Sequence, residues 1–220
     1  MDYTVTSFYK VEANTNICNS SFFCTDCTPE IFSPVFRSLP DDISADWRQE
    51  SEHNSWFTYN TIKTIQEVIS MNESITVSGE KFSDCIHIRI TDILNDDEND
   101  TSSGAVLNKL LNGVKDIWYA PNTGIIKHTF AALNGAKFSV DLCEYTINNK
   151  NAHETNLQKK YFPVALGNKW RYKATGDVCR SHVGYHAPSP DEWESDNLYE
   201  TLYEENGNHY VSYWAYAYKK

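Results

Sequence analysis

"IIKHTFAALNGAKFSVDLCEYTI", residues 125–147, decides how this chain is read. Two runs with alternating apolar residues flank Asn134-Gly135, a dipeptide that supplies the positive φ angles of a tight type I′ hairpin turn. A two-residue loop sets Phe130 opposite Ser139, His128 opposite Asp141 and Ile126 opposite Cys143. The signature recurs in "LYETLYEENGNHYVSYWAYAY", turning at Asn206-Gly207. There the expected pairs are Tyr203–Tyr210, Thr201–Ser212 and Tyr199–Trp214. One face of this second hairpin then reads as aromatic: Tyr199, Tyr203, Tyr210, Trp214, Tyr216 and Tyr218. In "ITVSGEKFSDCIHIRITDI", Phe82, Ile86, Ile88 and Ile90 share one parity. Cys85, His87 and Arg89 share the other, as in a strand with one buried face.

Composition agrees with a sheet protein. Of 220 residues, 40% are apolar and 22% charged, which fits a globular chain. The 14% aromatic content, with 14 Tyr and 6 Trp, suits half-buried pleated surfaces. A net charge of −11 argues against nucleic acid or anionic membrane as the main partner, since either needs a basic face. No apolar run approaches the ~20 residues of a membrane span. The opening "MDYTVTSFYK" lacks the basic and apolar regions of a signal peptide. The expectation is therefore a cytoplasmic location for a chain complete as it stands, and an extracytoplasmic or surface one if a leader has been removed. The six cysteines do not fix the redox compartment in a chain of this size.

Breaks in pattern divide the chain. Residues 1–35 hold one strand-like run, "YTVTSFYKVEA", and a Cys-rich irregular stretch. Residues 36–150 read as a first β module. Within it, 56–68 favour a strand, "LNDDENDTSSG" at 94–104 is an acidic loop, and "AVLNKLLNGV" reads as a short helix capped by Gly113. Residues 151–160 are polar, lack alternation and read as a linker. Residues 161–220 read as a partial second module. "SLPDDISADWRQ" and "YFPVALGNKWRY" both contain Pro-x6-Trp-Arg, at Pro40/Trp47 and Pro163/Trp170, an offset that suggests an internal repeat. A half-copy leaves a sheet edge open, so the N-terminal strand is expected to complete it, within the chain or across a homodimer.

"YFPVALGNKWRY", "ITVSGEKFSDCIHI" and "IWYAPNTGIIKH" together resemble the Y-[FY]-P-L-x-x-G-N-x-W-x-Y, V-P-A-G-T-F-x-x-C-x-x-V and W-Y-A-P-G-V-G-x-V-K motifs of uncharacterised bacterial β-rich repeat modules. Phe82, Cys85, Trp118, Tyr119, Ala120, Pro121, Gly124 and Lys127 fall on the pattern. Ser78-Gly79-Glu80-Lys81 replaces the Pro-Ala-Gly-Thr turn. The resemblance covers about half the chain. It implies repeated antiparallel sheet in bacterial, often envelope-associated proteins, and brings no catalytic residues with it.

Candidate sites are few. The four aromatics Tyr199, Tyr203, Tyr210 and Trp214 suit sheet stabilisation, with a flat-ligand or sugar platform as the functional reading. Cys24-x2-Cys27 is a usual zinc half-site, and His182 and His186 are the ligands that could complete it. A disulfide or surface thiols compete with that reading. His128 opposite Asp141 offers an acid–base pair, and Cys85 near His87 a thiol–imidazole pair, read as a packed thiol beside an exposed ring. "DDEND" at 96–100 lacks the ligand order of an EF-hand.

The sequence thus predicts a mainly β protein. Its antiparallel curved sheets, sandwich or half-barrel, are built from hairpins with one or two short helices. It reads as a non-catalytic binding or scaffold protein for a small molecule, glycan or protein, without a cofactor. The alternative is a zinc-dependent or hydrolytic enzyme using the Cys/His clusters.

Overall fold

The computed structural model describes residues 3–12, 39, 43–54, 61–95, 102, 105, 108–109, 112–148, 157–161, 163, 165–176, 193–205 and 208–219. In chain order the elements are β1 (Tyr3–Glu12), β2 (Arg48–Asn54), β3 (Thr61–Val77), β4 (Glu80–Leu94), β5 (Gly113–Ala120), β6 (Gly124–Ala132) and β7 (Lys137–Thr146). They continue with α1 (Leu157–Tyr161), β8 (Lys169–Gly176), β9 (Trp193–Glu205) and β10 (Asn208–Lys219). All the described strands pair antiparallel in one sheet of order β1-β10-β9-β8-β7-β6-β5-β4-β3-β2. The expected mainly β, antiparallel architecture is what the chain adopts. The N-terminal strand closes onto β10 within the chain.

Curvature comes from the long β3–β4 hairpin. Its turn is Ser78-Gly79, with φ of 50° and 87°, the pair of positive angles a two-residue type I′ loop needs. Between Val68 and Ile75 the register against β4 shifts three times, and Asp84 takes φ 55°. Each bulge bends the strand and adds twist. The hairpin tip consequently reaches β7: Tyr145 donates to Glu80 Oε1 at 2.9 Å, and Ser78 Oγ lies 3.9 Å from Cys143 Sγ. Phe82 packs on the Tyr145 ring. The result is a curved sheet whose concave side is filled.

That filling is the core: Ile86, Ile88, Ile90, Ile117, Tyr119, Ile126, Phe130, Val140, Leu142, Trp170 and Tyr172 are all buried. Burial of each large side chain stabilises by roughly 1.5–3 kcal/mol. Polar tips on this side are paired. Trp170 Nε1 donates to Thr123 O at 2.6 Å, and Tyr172 donates to Ile125 O at 2.8 Å. At one end buried Thr64 and Asp92 cluster with half-buried Lys115. There Asp92 accepts from Thr64 at 2.8 Å and from Lys115 at 2.7 Å.

The β6–β7 register differs from expectation by one residue. The pairs are Phe130–Phe138, His128–Val140 and Lys127–Asp141. Gly135 has φ 90°, while Asn134 has no positive φ. Ala132 N donates to Ala136 O, and Gly135 N to Ala132 O. These are the marks of a three-residue loop, Leu133-Asn134-Gly135, ending in a left-handed glycine. The extra loop residue moves every partner.

The β9–β10 register starts as expected at Tyr203–Tyr210, then shifts. Thr201 faces Val211, Tyr199 faces Tyr213, and Trp214 stands opposite Leu198. One extra residue on β9, at Leu202, reverses the parity beyond it.

The helical expectations are met in part. Ala105, Asn108 and Lys109 are helical, but Gly113 opens β5 and is not a helix cap. The stretch read as a linker, 151–160, holds most of α1, and the helix ends at Tyr161, which is buried and donates to Asp84 O at 2.7 Å. Among the described residues, no helix is long and apolar enough to cross a membrane.

Candidate functional site

The convex face carries the charge. Reading one row across the strands gives Arg48, Glu67, Arg89, Asp116, Thr129, Ser139 and Thr175, each the Cα partner of the next. The adjacent row runs Ser70, His87, Trp118, Lys127, Asp141, Lys173 and Asp196. Charges alternate in sign along both rows. Arg48 meets Glu67 at 2.9 Å, Arg89 meets Asp116 at 2.9 Å, and Lys127 meets Asp141 at 2.9 Å.

Where the rows adjoin, His87 is buried between two carboxylates. Nδ1 lies 3.0 Å from Glu73 Oε2, and Nε2 lies 2.8 Å from Asp116 Oδ1. Arg89 Nε donates to the same Asp116 oxygen at 2.9 Å. The imidazole stacks on Trp118, with centroids 4.3 Å apart and planes 22° from parallel. Strand pairing explains this: His87 and Trp118 are Cα partners, and β-bulges swing Glu73 over the ring. The Trp118 indole N–H is buried and meets no hydrogen-bond partner among the described residues.

The arrangement corrects two expectations. His87 is not an exposed ring beside a thiol, because both its nitrogens are engaged by carboxylates. Cys85 is fully buried, with its sulfur 3.8 Å from Ser83 O. Burial, with Glu73 and Asp84 adding to it, pushes the thiol up to about 11. It is therefore protonated at neutral pH, the wrong state for a nucleophile. His128 does not face Asp141 either. It is buried on the concave side, whereas Asp141 accepts from Lys127 and from Ser139 Oγ on the other.

No family model, curated protein or solved structure matches this chain. The site must be judged on its own geometry. Cys24, Cys27, His182, His186 and the acidic stretch 96–100 lie outside the described residues. Among the described residues, no group of three or more His, Cys, Asp or Glu could hold a metal ion. Tyr199, Tyr203, Tyr210 and Trp214 lie in β9 and β10, where the register brings Tyr203 and Tyr210 together but separates Tyr199 from Trp214. Sequence reasoning missed the Glu73–His87–Asp116–Arg89 network. Its one advance signal was the parity shared by His87 and Arg89.

Proposed function

We propose that this protein is a non-catalytic binding or scaffold module whose partner is a small molecule, a glycan or a protein. The observation that carries the reading is the use of charge on the convex face. Lysine, arginine and carboxylate side chains are matched to one another across strands, which fixes register and presents a patterned polar surface. Exposed ion pairs of this kind contribute about 0–1 kcal/mol each, so their value lies more in specifying the pairing than in raw stability. Support also comes from the resemblance to bacterial β-rich modules, which points to the cell envelope. Within the hairpin β9–β10, the register neighbours Tyr203 and Tyr210 are the proposed stacking positions for a ring-shaped ligand.

The test is a thermal-shift screen of the full chain against glycans and peptides, since a ligand that binds only the native state raises Tm. A hit whose shift is abolished in Tyr203→Ala/Tyr210→Ala supports the reading. Stoichiometric zinc in the purified protein, with hydrolytic activity lost on mild chelation, overturns it in favour of an enzyme.

A further inference from the structure

The two edges of the sheet are built differently. β2 forms one edge and carries exposed charge at Arg48, Glu50 and Glu52. Arg48 and Lys63 both grip Glu50, at 2.8 Å each, and their hydrogen bonds hold its carboxyl down at about 2. Charged side chains on an edge strand are a recognised means of discouraging further pairing. Among the described strands β1 forms the other edge, and its only charges, Lys10 and Glu12, are confined to one end. From Tyr3 to Tyr9 it reads "YTVTSFY", without charge, proline or glycine. Its pairing with β10 runs over ten successive residues with no bulge. A long, regular, uncharged edge rich in Tyr, Thr, Val and Phe is a template for one more strand.

We propose that β1 pairs antiparallel with β1 of a second copy, joining two sheets across a twofold axis. A strand facing its own copy is self-complementary only when its register is symmetric about one residue. Centring on Thr6 sets Tyr3 against Tyr9, Thr4 against Phe8, Val5 against Ser7 and Thr6 against itself. Lys10 and Glu12 then fall beyond the paired stretch, so no like charges oppose each other within it. This also selects the second copy over an unrelated strand, because the aromatic–aromatic and Thr–Thr pairs formed are among those that stabilise neighbouring strands. The inference is independent of any ligand bound elsewhere on the sheet.

Sedimentation velocity of the full chain across the micromolar range tests it. The expected result is a concentration-dependent dimer. Thr6→Lys and Thr6→Glu each place like charges at the axis and weaken the dimer about fivefold or more, with far-UV circular dichroism unchanged. Mixing the two variants restores dimer, because Lys then faces Glu. Thr6→Ser leaves the dimer intact. A wild-type chain that stays monomeric overturns the proposal. So does a dimer indifferent to Thr6→Lys, or a mixture of the charged variants that fails to re-associate.

Discussion

Lys127 stands directly opposite Asp141, with Nζ 2.9 Å from Oδ1, and Lys173 is the next residue across from Asp141. Asp141 is thus the negative member between two positive ones. Asp141→Lys puts three lysines in a row and should lower stability by about 1 kcal/mol, since both groups are partly solvated. Urea titrations at low and high salt check this. The loss should shrink as salt screens the repulsion. A loss indifferent to salt would mean that the row does not act through charge.

His87 makes a stronger claim on stability. Removing it as His87→Ala leaves Glu73 and Asp116 facing each other across a cavity beside Trp118. Both carboxylates are only part-buried, so losing the imidazole costs about 1–3 kcal/mol, between the exposed and the fully buried limits. Arg89 still holds Asp116, so the lower end applies. His87→Gln, which can still donate to one carboxylate, should recover part of the loss in equilibrium unfolding. Equal stability of the Ala and Gln variants would show that volume, and not hydrogen bonding, sets the cost.

Trp170 joins β8 to the turn after β5. Its ring is 1% exposed, and its N–H donates to Thr123 O. Trp170→Ala is expected to cost about 3–5 kcal/mol through the cavity it leaves. Trp170→Phe should cost less, about 1–3 kcal/mol, because it chiefly strands the Thr123 carbonyl. Thermal unfolding of the two variants tests the order.

Gly113 is required by close approach. A Cβ there would sit 2.1 Å from Ala131 O, on backbone that cannot turn aside. Gly113→Ala must spread β5 from β6 and should cost about 1–3 kcal/mol or more, as overpacking does. Gly135→Ala meets no neighbouring atoms and bears only the strain of its φ of 90°, so it should be the milder change. Comparing their urea midpoints decides the point.

Alkaline pH should destabilise the fold. Burial raises the Cys85 thiol from 9.0 to about 11, and burial likewise raises the Tyr145, Tyr161 and Tyr172 hydroxyls above 10.0. The unfolded chain loses these protons first, so stability is intact below about pH 9 and falls as pH rises through about 11. Tm followed by circular dichroism over this window checks the sign, and a flat profile would contradict it. At neutral pH a thiol reagent should modify exposed Cys143 in the native protein, and Cys85 only after unfolding.

Fold class was legible because alternation, aromatic content and glycine turns are local signals that neighbouring residues carry. The parity of Ile86, Ile88 and Ile90 marked a core face of β4, but Cys85 and His87, set on the other face by the same parity, are buried as well. The candidate site was less legible. Glu73 lies 14 residues from His87 and Asp116 lies 29 away, and no local rule links such distances.

By itself, then, the sequence determined that this chain makes antiparallel sheet, that Ile86, Ile88 and Ile90 of β4 face the core, and that β1 would seek the open edge. Tertiary structure alone decided register, curvature and what each polar group meets. One extra loop residue at Leu133-Asn134-Gly135 moved His128 away from Asp141, because pairing in a sheet propagates a single insertion along the whole strand. The Gly-Asn of "YFPVALGNKWRY" reads locally as a turn. Only the assembled fold shows buried Asn168 donating to Pro163 O while accepting from Asn148 N at 2.9 Å, a bond between segments 20 residues apart. A buried amide must find partners wherever the chain brings them.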